Sequence, residues 1–321
     1  MVYIDNEQCK ELLSDKDECL LAIRDAINVK KRGEYNQPIK PYLKFPDKRN
    51  RIIAMPAYVG GNKNICGIKW ISSFPDNLEK NIPRAHCLTI LNSVFTGIPF
   101  CIINASCISI IRTAALSTVL LDKYIQLTDK KKYVLGIIGY GPIGKMHKEY
   151  FCHLLKDQIS EIHIYDKNIM EEQSDVIFET SWEEVYNQAD ILVLATNTVK
   201  PYLTEAPRLN CLTLNISLRD FCVDSFDLTN TVTVVDDWEE VNREETNIYH
   251  LSRNNKLIRE DTINIEEFLD MKVPKGENRA YFVNTMGMAL FDICMGNLAY
   301  EIYMRKLRNE RTLNKNTIDT N

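Results

Sequence analysis

The chain has 321 residues, enough for a sizeable core and about two domains. Its formal net charge of −5 argues against a general nucleic-acid surface, and no apolar run approaches the ~20 residues of a membrane span. Met1-Val2-Tyr3-Ile4-Asp5 lacks the regions of a signal peptide, and ten cysteines are scattered without Cys-x-x-Cys pairs; a cytoplasmic protein with no metal, membrane or nucleic-acid partner is expected.

Residues 1 to about 115 read as an α+β domain. A short strand at Val2 to Ile4 is followed by Asp5-x-x-Gln8, which can cap a helix running to about Lys30. Strand-like runs follow at Lys40 to Phe45, Arg51 to Val59, Ile65 to Ser72, His86 to Asn92 and Ile98 to Asn104, with turns expected at Gly60-Gly61 and Asp76-Asn77. Strands without intervening helices favour a mostly antiparallel sheet. Ile108 to Ile125 then reads as one apolar helix.

From Lys132 the pattern alternates. Strands are expected at Tyr133 to Ile138, Ile159 to Tyr165, Asp175 to Phe178, Ile191 to Ala195, Cys211 to Ile216 and Val232 to Val235. Helical segments are expected at Lys145 to Leu155, Trp182 to Gln188 and Asp237 to Arg253. Such alternation predicts an α/β fold, a Rossmann doubly wound parallel sheet, beside the α+β substrate-binding and dimerisation domain. The link from Lys167 to Asp175 is too short for a full crossover helix, so a single turn or irregular link is expected. A last helix, Met286 to Tyr303, is expected to return to the first domain, with Asn314 to Asn321 frayed. The domains are thus expected to be 1–115 with 290–321, and 116–289.

The most specific motif is Gly139-x-Gly141-x-x-Gly144, between the first strand and helix of the second domain. Gly139 permits a tight turn, Gly141 lets backbone N–H groups approach a pyrophosphate, and Gly144 lets the helix pack closely on the strand. Pro142 and Ile143 lie within that turn as further cofactor-binding candidates, and the N-terminus of the following helix favours negative charge. Asp166 ends the next strand 22 residues after Gly144, the position of an acid that accepts from an adenosine ribose. A dinucleotide is therefore expected here, with substrate in a cleft near the carboxyl ends of the strands.

Four cations of the first domain are substrate candidates. Lys69 interrupts the apolar Gly67-Ile68-Lys69-Trp70-Ile71, where a charge needs a ligand or a carboxylate, and Arg112 interrupts an apolar helix. Lys40 is held between two prolines and Arg84 precedes a strand; snorkelling or salt bridging would explain either of these. Asp220 follows a strand and could serve as acid/base, although a loop aspartate is also a common turn former. Thr196 and Thr198 could touch the nicotinamide ribose or cap a helix; Met286-Gly287 could approach the nicotinamide or simply open the last helix.

Arg112-Thr113-Ala114-Ala115, Lys69, the glycine turn and Met286-Gly287-Met288-Ala289 together resemble the ornithine cyclodeaminase/mu-crystallin family, over nearly the whole chain. Gln37–Leu43, Arg51–Pro56, Ser106–Ala115, Val235-Asp236-Asp237-Trp238, Asn242-Arg243-Glu244 and Asn284–Ala289 resemble its siderophore-pathway branch more narrowly. That resemblance implies NAD-dependent oxidation of N-(2-amino-2-carboxyethyl)-L-glutamate at the glutamate Cα. Hydrolysis of the imine then gives 2-oxoglutarate and L-2,3-diaminopropionate, a siderophore or antibiotic precursor. It implies carboxylate binding by Lys40, Lys69 and Arg112, with Arg112 also near the cofactor pyrophosphate and Arg84 offering a further carboxylate contact. Lys69 and Asp220 would be catalytic, and a homodimer is implied. Met55 stands where cyclodeaminases carry a glutamate for the ornithine amine, which disfavours cyclodeamination. Other reactions of the family (cyclodeaminase, ketimine reductase, amino-acid dehydrogenase) and a non-catalytic NAD-dependent binding protein are the alternatives.

Overall fold

The computed structural model describes residues 1–168, 173–198, 200–272 and 278–318. In chain order it begins with β1 (Val2–Ile4), α1 (Asn6–Leu12), α2 (Lys16–Lys31), β2 (Tyr35–Asn36), β3 (Tyr42–Lys44), β4 (Arg51–Val59) and β5 (Ile65–Ser73). Then come β6 (Ala85–Asn92), β7 (Pro99–Asn104), α3 (Ser106–Leu127), β8 (Tyr133–Ile138), α4 (Pro142–Leu155), β9 (Ile159–Tyr165) and β10 (Ile177–Phe178). The remainder is α5 (Trp182–Gln188), β11 (Ile191–Leu194), β12 (Leu212–Asn215), β13 (Thr231–Val235), α6 (Trp238–Val241), α7 (Asn247–Arg253), β14 (Thr262–Asn264), α8 (Ile265–Asp270), β15 (Ala280–Asn284) and α9 (Ala289–Ile318).

Two compact units result, 1–112 with 288–321, and 113–287. The sheet of the first runs β1-β7-β6-β5-β4-β2, with β3 on β4. Its pairings are antiparallel except for β1 on β7. Side chains alternate across a strand. Met55, Ala57 and Val59 of β4, Ile65 and Lys69 of β5, and Thr89 and Leu91 of β6 are buried on one face, against which α9 packs. The opposite face carries Tyr58 and Trp70, which stay 39% and 44% exposed, beside half-buried Ile68 and Ile90.

Unit 113–287 holds an all-parallel sheet in the order β10-β9-β8-β11-β12-β15-β13-β14. From β8 the chain builds outward through β9 and β10, then returns to place β11 on the other side of β8. That reversal leaves a topological switch point at the carboxyl ends of β8 and β11.

Several expectations need correction. The helix expected to reach Lys30 is two helices, because the Asp15 side chain accepts from the N–H groups of Asp17 and Glu18 and starts α2 afresh. The Asp5/Gln8 capping box forms on α1. A 3-10 helix, Pro75–Lys80, replaces the turn expected at Asp76-Asn77. The helical segment expected from Asp237 to Arg253 is split into α6 and α7, capped separately by Asp237 and Thr246. β15, which the sequence reading omitted, lies between β12 and β13. The last helix begins at Ala289 rather than Met286 and continues to Ile318. Residues 169–172, the middle of the short link after Asp166, lie outside the described residues. No helix among the described residues is long and apolar enough to cross a membrane.

Candidate functional site

In unit 113–287 the three glycines answer to different demands. Gly139 has φ +93, and an added Cβ would lie 2.6 Å from the Ala195 backbone. At Gly144 a Cβ would lie 2.2 Å from the Gly139 carbonyl oxygen, so α4 can approach β8 only with glycine there. Gly141 has neither constraint: its φ is −71 and a Cβ would meet nothing within 4 Å. Neither its conformation nor its protein neighbours require glycine. The open space lies at the N-terminus of α4, whose cap Gly141 makes no side-chain hydrogen bond and whose first positions are Pro142 and Ile143. A pyrophosphate fits that arrangement, because the unpaired N–H groups of the first turn attract anions and an absent side chain lets them come close.

Asp166 is fixed beside this turn. Its Oδ2 accepts from the Tyr140 N–H at 2.7 Å and its Oδ1 from the Asn168 N–H at 2.9 Å. Each carboxylate oxygen retains capacity for a further donor such as a ribose hydroxyl. One helical turn into α4, His147 is fully buried. Its Nδ1 lies 2.8 Å from the Ile143 carbonyl oxygen and so carries the proton, while Nε2 accepts from Ser117 Oγ at 2.9 Å. Burial pushes its pKa down to about 4.

At the carboxyl ends of β11 and β12, Thr196 and Asp220 come together. Thr196 Oγ1 donates to Asp220 Oδ1 at 2.6 Å, and Ser217 Oγ donates to Oδ2. The Tyr202 and Leu203 N–H groups both donate to the Asp220 carbonyl oxygen at 2.9 Å. Asparagines secure the loop from beneath. Asn215 donates to Asn247 Oδ1 at 3.0 Å and to Asn284 Oδ1 at 2.7 Å, and its own Oδ1 accepts from the Leu218 N–H. Asp220 is thus a carboxylate with no exposure, solvated by two neutral hydroxyls.

Thr198 turns instead into a local bend, donating to the Lys200 carbonyl oxygen at 2.6 Å. Met286 and Gly287 lie in the link between β15 and α9. Their N–H groups donate to Asp236 Oδ1 at 3.0 Å and Oδ2 at 2.7 Å, so one buried carboxylate sets the path of that link.

In unit 1–112 with 288–321, Lys69 and Arg112 converge on Asp292 of α9. Lys69 Nζ donates to Asp292 Oδ1 at 2.8 Å and Arg112 Nε donates to the same oxygen at 3.2 Å. Ser109 Oγ also accepts from Lys69 at 3.0 Å. Burial alone would raise the Asp292 carboxyl, yet Arg112 and Lys69 beside it, with Lys40 acting at longer range, hold it below the usual carboxylate range. Two basic side chains, Lys69 and Arg112, thus meet one carboxylate, Asp292. The Asp292 Oδ2 has no hydrogen-bond partner among the described residues.

Lys40 is buried, in the segment where Gln37 Oε1 accepts from the Leu290 N–H at 3.0 Å at the start of α9. Arg84 is half-buried just before β6, with Nε donating to Ser73 Oγ at 3.3 Å. The pairing of Lys69 with Asp292, over 223 residues, escaped the sequence reading. An acid inside the apolar run Met288 to Met295 was its available signal. Asp236 and Asn215 were likewise missed, because their partners, Gly287 and Asn284, are far along the chain.

Residues 3–207 match the ornithine cyclodeaminase/mu-crystallin family. The chain is 30% identical over 328 aligned positions to N-((2S)-2-amino-2-carboxyethyl)-L-glutamate dehydrogenase of Staphylococcus aureus, covering 95% of each. Among solved structures it is similar to the Thermococcus litoralis Δ1-pyrroline-2-carboxylate reductase in complex with NADH and L-proline. The TM-score there is 0.84 at 22% identity, over 95% of this chain and 98% of that one. An archaeal alanine dehydrogenase dimer with bound NAD gives 0.72 at 23% identity, over 95% and 97%.

Proposed function

Because the chain belongs to the ornithine cyclodeaminase/mu-crystallin family, we propose that it is an NAD-dependent oxidoreductase acting on an amino acid. Its substrate in this reading is N-(2-amino-2-carboxyethyl)-L-glutamate. The carrying observation is the buried positive excess of Lys69 and Arg112 over Asp292. A ligand with several carboxylates offsets that charge, and paired hydrogen bonds to a carboxylate fix the orientation of the carbon between its substituents. Lys40 reinforces the same field. Arg84 supplies a further cation for the same ligand. The glycine turn and Asp166 suit NAD, which when bound supplies the hydride acceptor for the substrate Cα–H.

The chain's own residues then handle protons. Oxidation leaves a substrate C=N bond. Asp220 takes a proton from the water that adds to that carbon, and returns one to the nitrogen as the C–N bond breaks and a C=O bond forms. Thr196 and Ser217 hold the Asp220 carboxylate in place for both transfers. Lys69 pairs the negative charge of a substrate carboxylate and stabilises the adding oxygen. The balance is adduct, NAD and water in; 2-oxoglutarate, L-2,3-diaminopropionate, NADH and a proton out. The amino-acid product suits a siderophore or antibiotic pathway. Met55, directly opposite Lys69 in the β4–β5 register, is apolar and offers no partner for an ornithine amine.

The open face of the first unit's sheet, with Trp70 and Tyr58 among half-buried Ile68 and Ile90, is the surface through which we propose a homodimer forms. The reaction is tested by supplying NAD with the adduct, and separately with ornithine, while following reduced cofactor and products. NADH and 2-oxoglutarate should accumulate together with the adduct alone. Proline formed from ornithine without net NADH, or no turnover of the adduct, sinks this reading.

A further inference from the structure

Arg51 starts β4 on the sheet face that also bears Lys69. In the register Arg51 stands opposite Ser73 and Lys44, and Met55 stands opposite Lys69. Odd-numbered residues of β4 and β5 therefore share one face. Arg51 Nε is buried and has no hydrogen-bond partner among the described residues. Its guanidinium lies 5.9 Å from the Tyr42 ring centroid, a contact that steers the group without neutralising it.

Two comparisons make this unusual. Arg49, two residues earlier on the surface, is gripped by two carboxylates, Asp47 at 2.9 Å and Asp76 at 2.6 Å. Arg84 is brought to the Ser73 that faces Arg51 by its Nε bond to Oγ. Arg51 and Arg84 thus both lie beside Ser73, one by strand register and the other by a hydrogen bond. A buried guanidinium nitrogen without a partner calls for an acceptor, and a carboxylate supplies one.

We propose that Arg51 is a substrate-binding residue which, with Arg84, forms a second carboxylate subsite on the face that carries Lys69. This rests on the carboxylate-rich substrate proposed above and says how its charges are divided. Ser73 lies four residues from Lys69 along β5, roughly 13 Å at the usual strand rise. Lysine and arginine side chains are long enough to span part of such a gap. One carboxylate is held at Lys69 and Arg112, and another, on a different arm of the same ligand, at Arg51 and Arg84. A ligand with a single carboxylate gains nothing from the second subsite, so Arg51 sets selectivity for polycarboxylates.

The test measures calorimetric binding of citrate, 2-oxoglutarate and acetate to the full chain, in wild type, Arg51→Gln, Arg51→Lys and Arg49→Gln. Arg51→Gln should weaken citrate and 2-oxoglutarate by about 10- to 100-fold, the loss of a charged hydrogen-bond pair, and leave acetate unchanged. Arg51→Lys should fall between, since an ammonium cannot reproduce a guanidinium fork; Arg49→Gln should match wild type. Should Arg51→Gln fail to fold, Arg51→Lys decides by the same comparison. Equal losses for acetate and citrate, wild-type affinity in the Arg51 variants, or no binding of either polycarboxylate by the wild type would overturn the subsite. Turnover of the adduct is measured separately. If the polycarboxylates bind through Arg51 but the adduct is not oxidised, the reaction falls and the subsite stands.

Discussion

At the scale of single residues, two buried carboxylates differ in their partners. Asp220 is solvated by hydroxyls, whereas Asp292 is flanked by Lys69 and Arg112. Replacing Asp292 by Asn leaves the two cations buried without a counter-charge. We expect a loss of about 3–5 kcal/mol of stability by chemical denaturation, with kcat/KM lowered more than NAD affinity. Wild-type stability and turnover in that variant would contradict the assignment. His147 gives a pH dependence. With a folded pKa pushed down to about 4 and an unfolded value near 6.5, the unfolded chain takes up a proton that the folded chain refuses. Stability should therefore decline from about pH 6.5 to about pH 4, by about 3 kcal/mol from this residue. Denaturation at several pH values should show a shallower acid decline in His147→Asn; an unchanged slope would refute it. Lys69 and Arg112 stood out in the sequence as charges in apolar surroundings. Asp292 did not, since nothing local ties it to a lysine 223 residues away.

At the scale of elements, the β8–α4 junction separates two glycines that the fold requires from one that it does not. Gly144→Ala places a Cβ against the immovable Gly139 carbonyl, and should destabilise the protein by about 1–3 kcal/mol or more. Gly141→Ala meets nothing, so stability should hold or rise by about 0.4–1 kcal/mol. NAD affinity, read by fluorescence or calorimetry, should nevertheless fall about tenfold or more in Gly141→Ala. Equal NAD binding by wild type and Gly141→Ala would remove the pyrophosphate from this turn. The elements themselves were largely legible: β1, β4, β8, β9 and α5 have the bounds their patterns suggested. Failures fell where a cap overrode periodicity, as at Asp15 and Thr246. They also fell where a strand earns its place only from its neighbours, as β15 does between β12 and β13.

At the scale of the whole molecule, the first unit's sheet leaves one face open. Trp70→Glu would set a charge in the middle of that face, so light scattering should report a dimer for the wild type and a monomer for the variant. A monomeric wild type would reject the proposed interface. The sequence by itself determined the nucleotide unit, because a glycine turn, an acid and alternating apolar runs are local signals bound to fixed backbone geometry. Its composition and motifs also carried the family. What only the tertiary structure decided is which charges meet: Lys69 and Arg112 on Asp292, Thr196 on Asp220, Asp236 on Met286 and Gly287. Those pairings depend on strand order and register over separations from 24 to 223 residues. Electrostatic and hydrogen-bond partners are selected by distance in space, and no pattern along the chain encodes that distance.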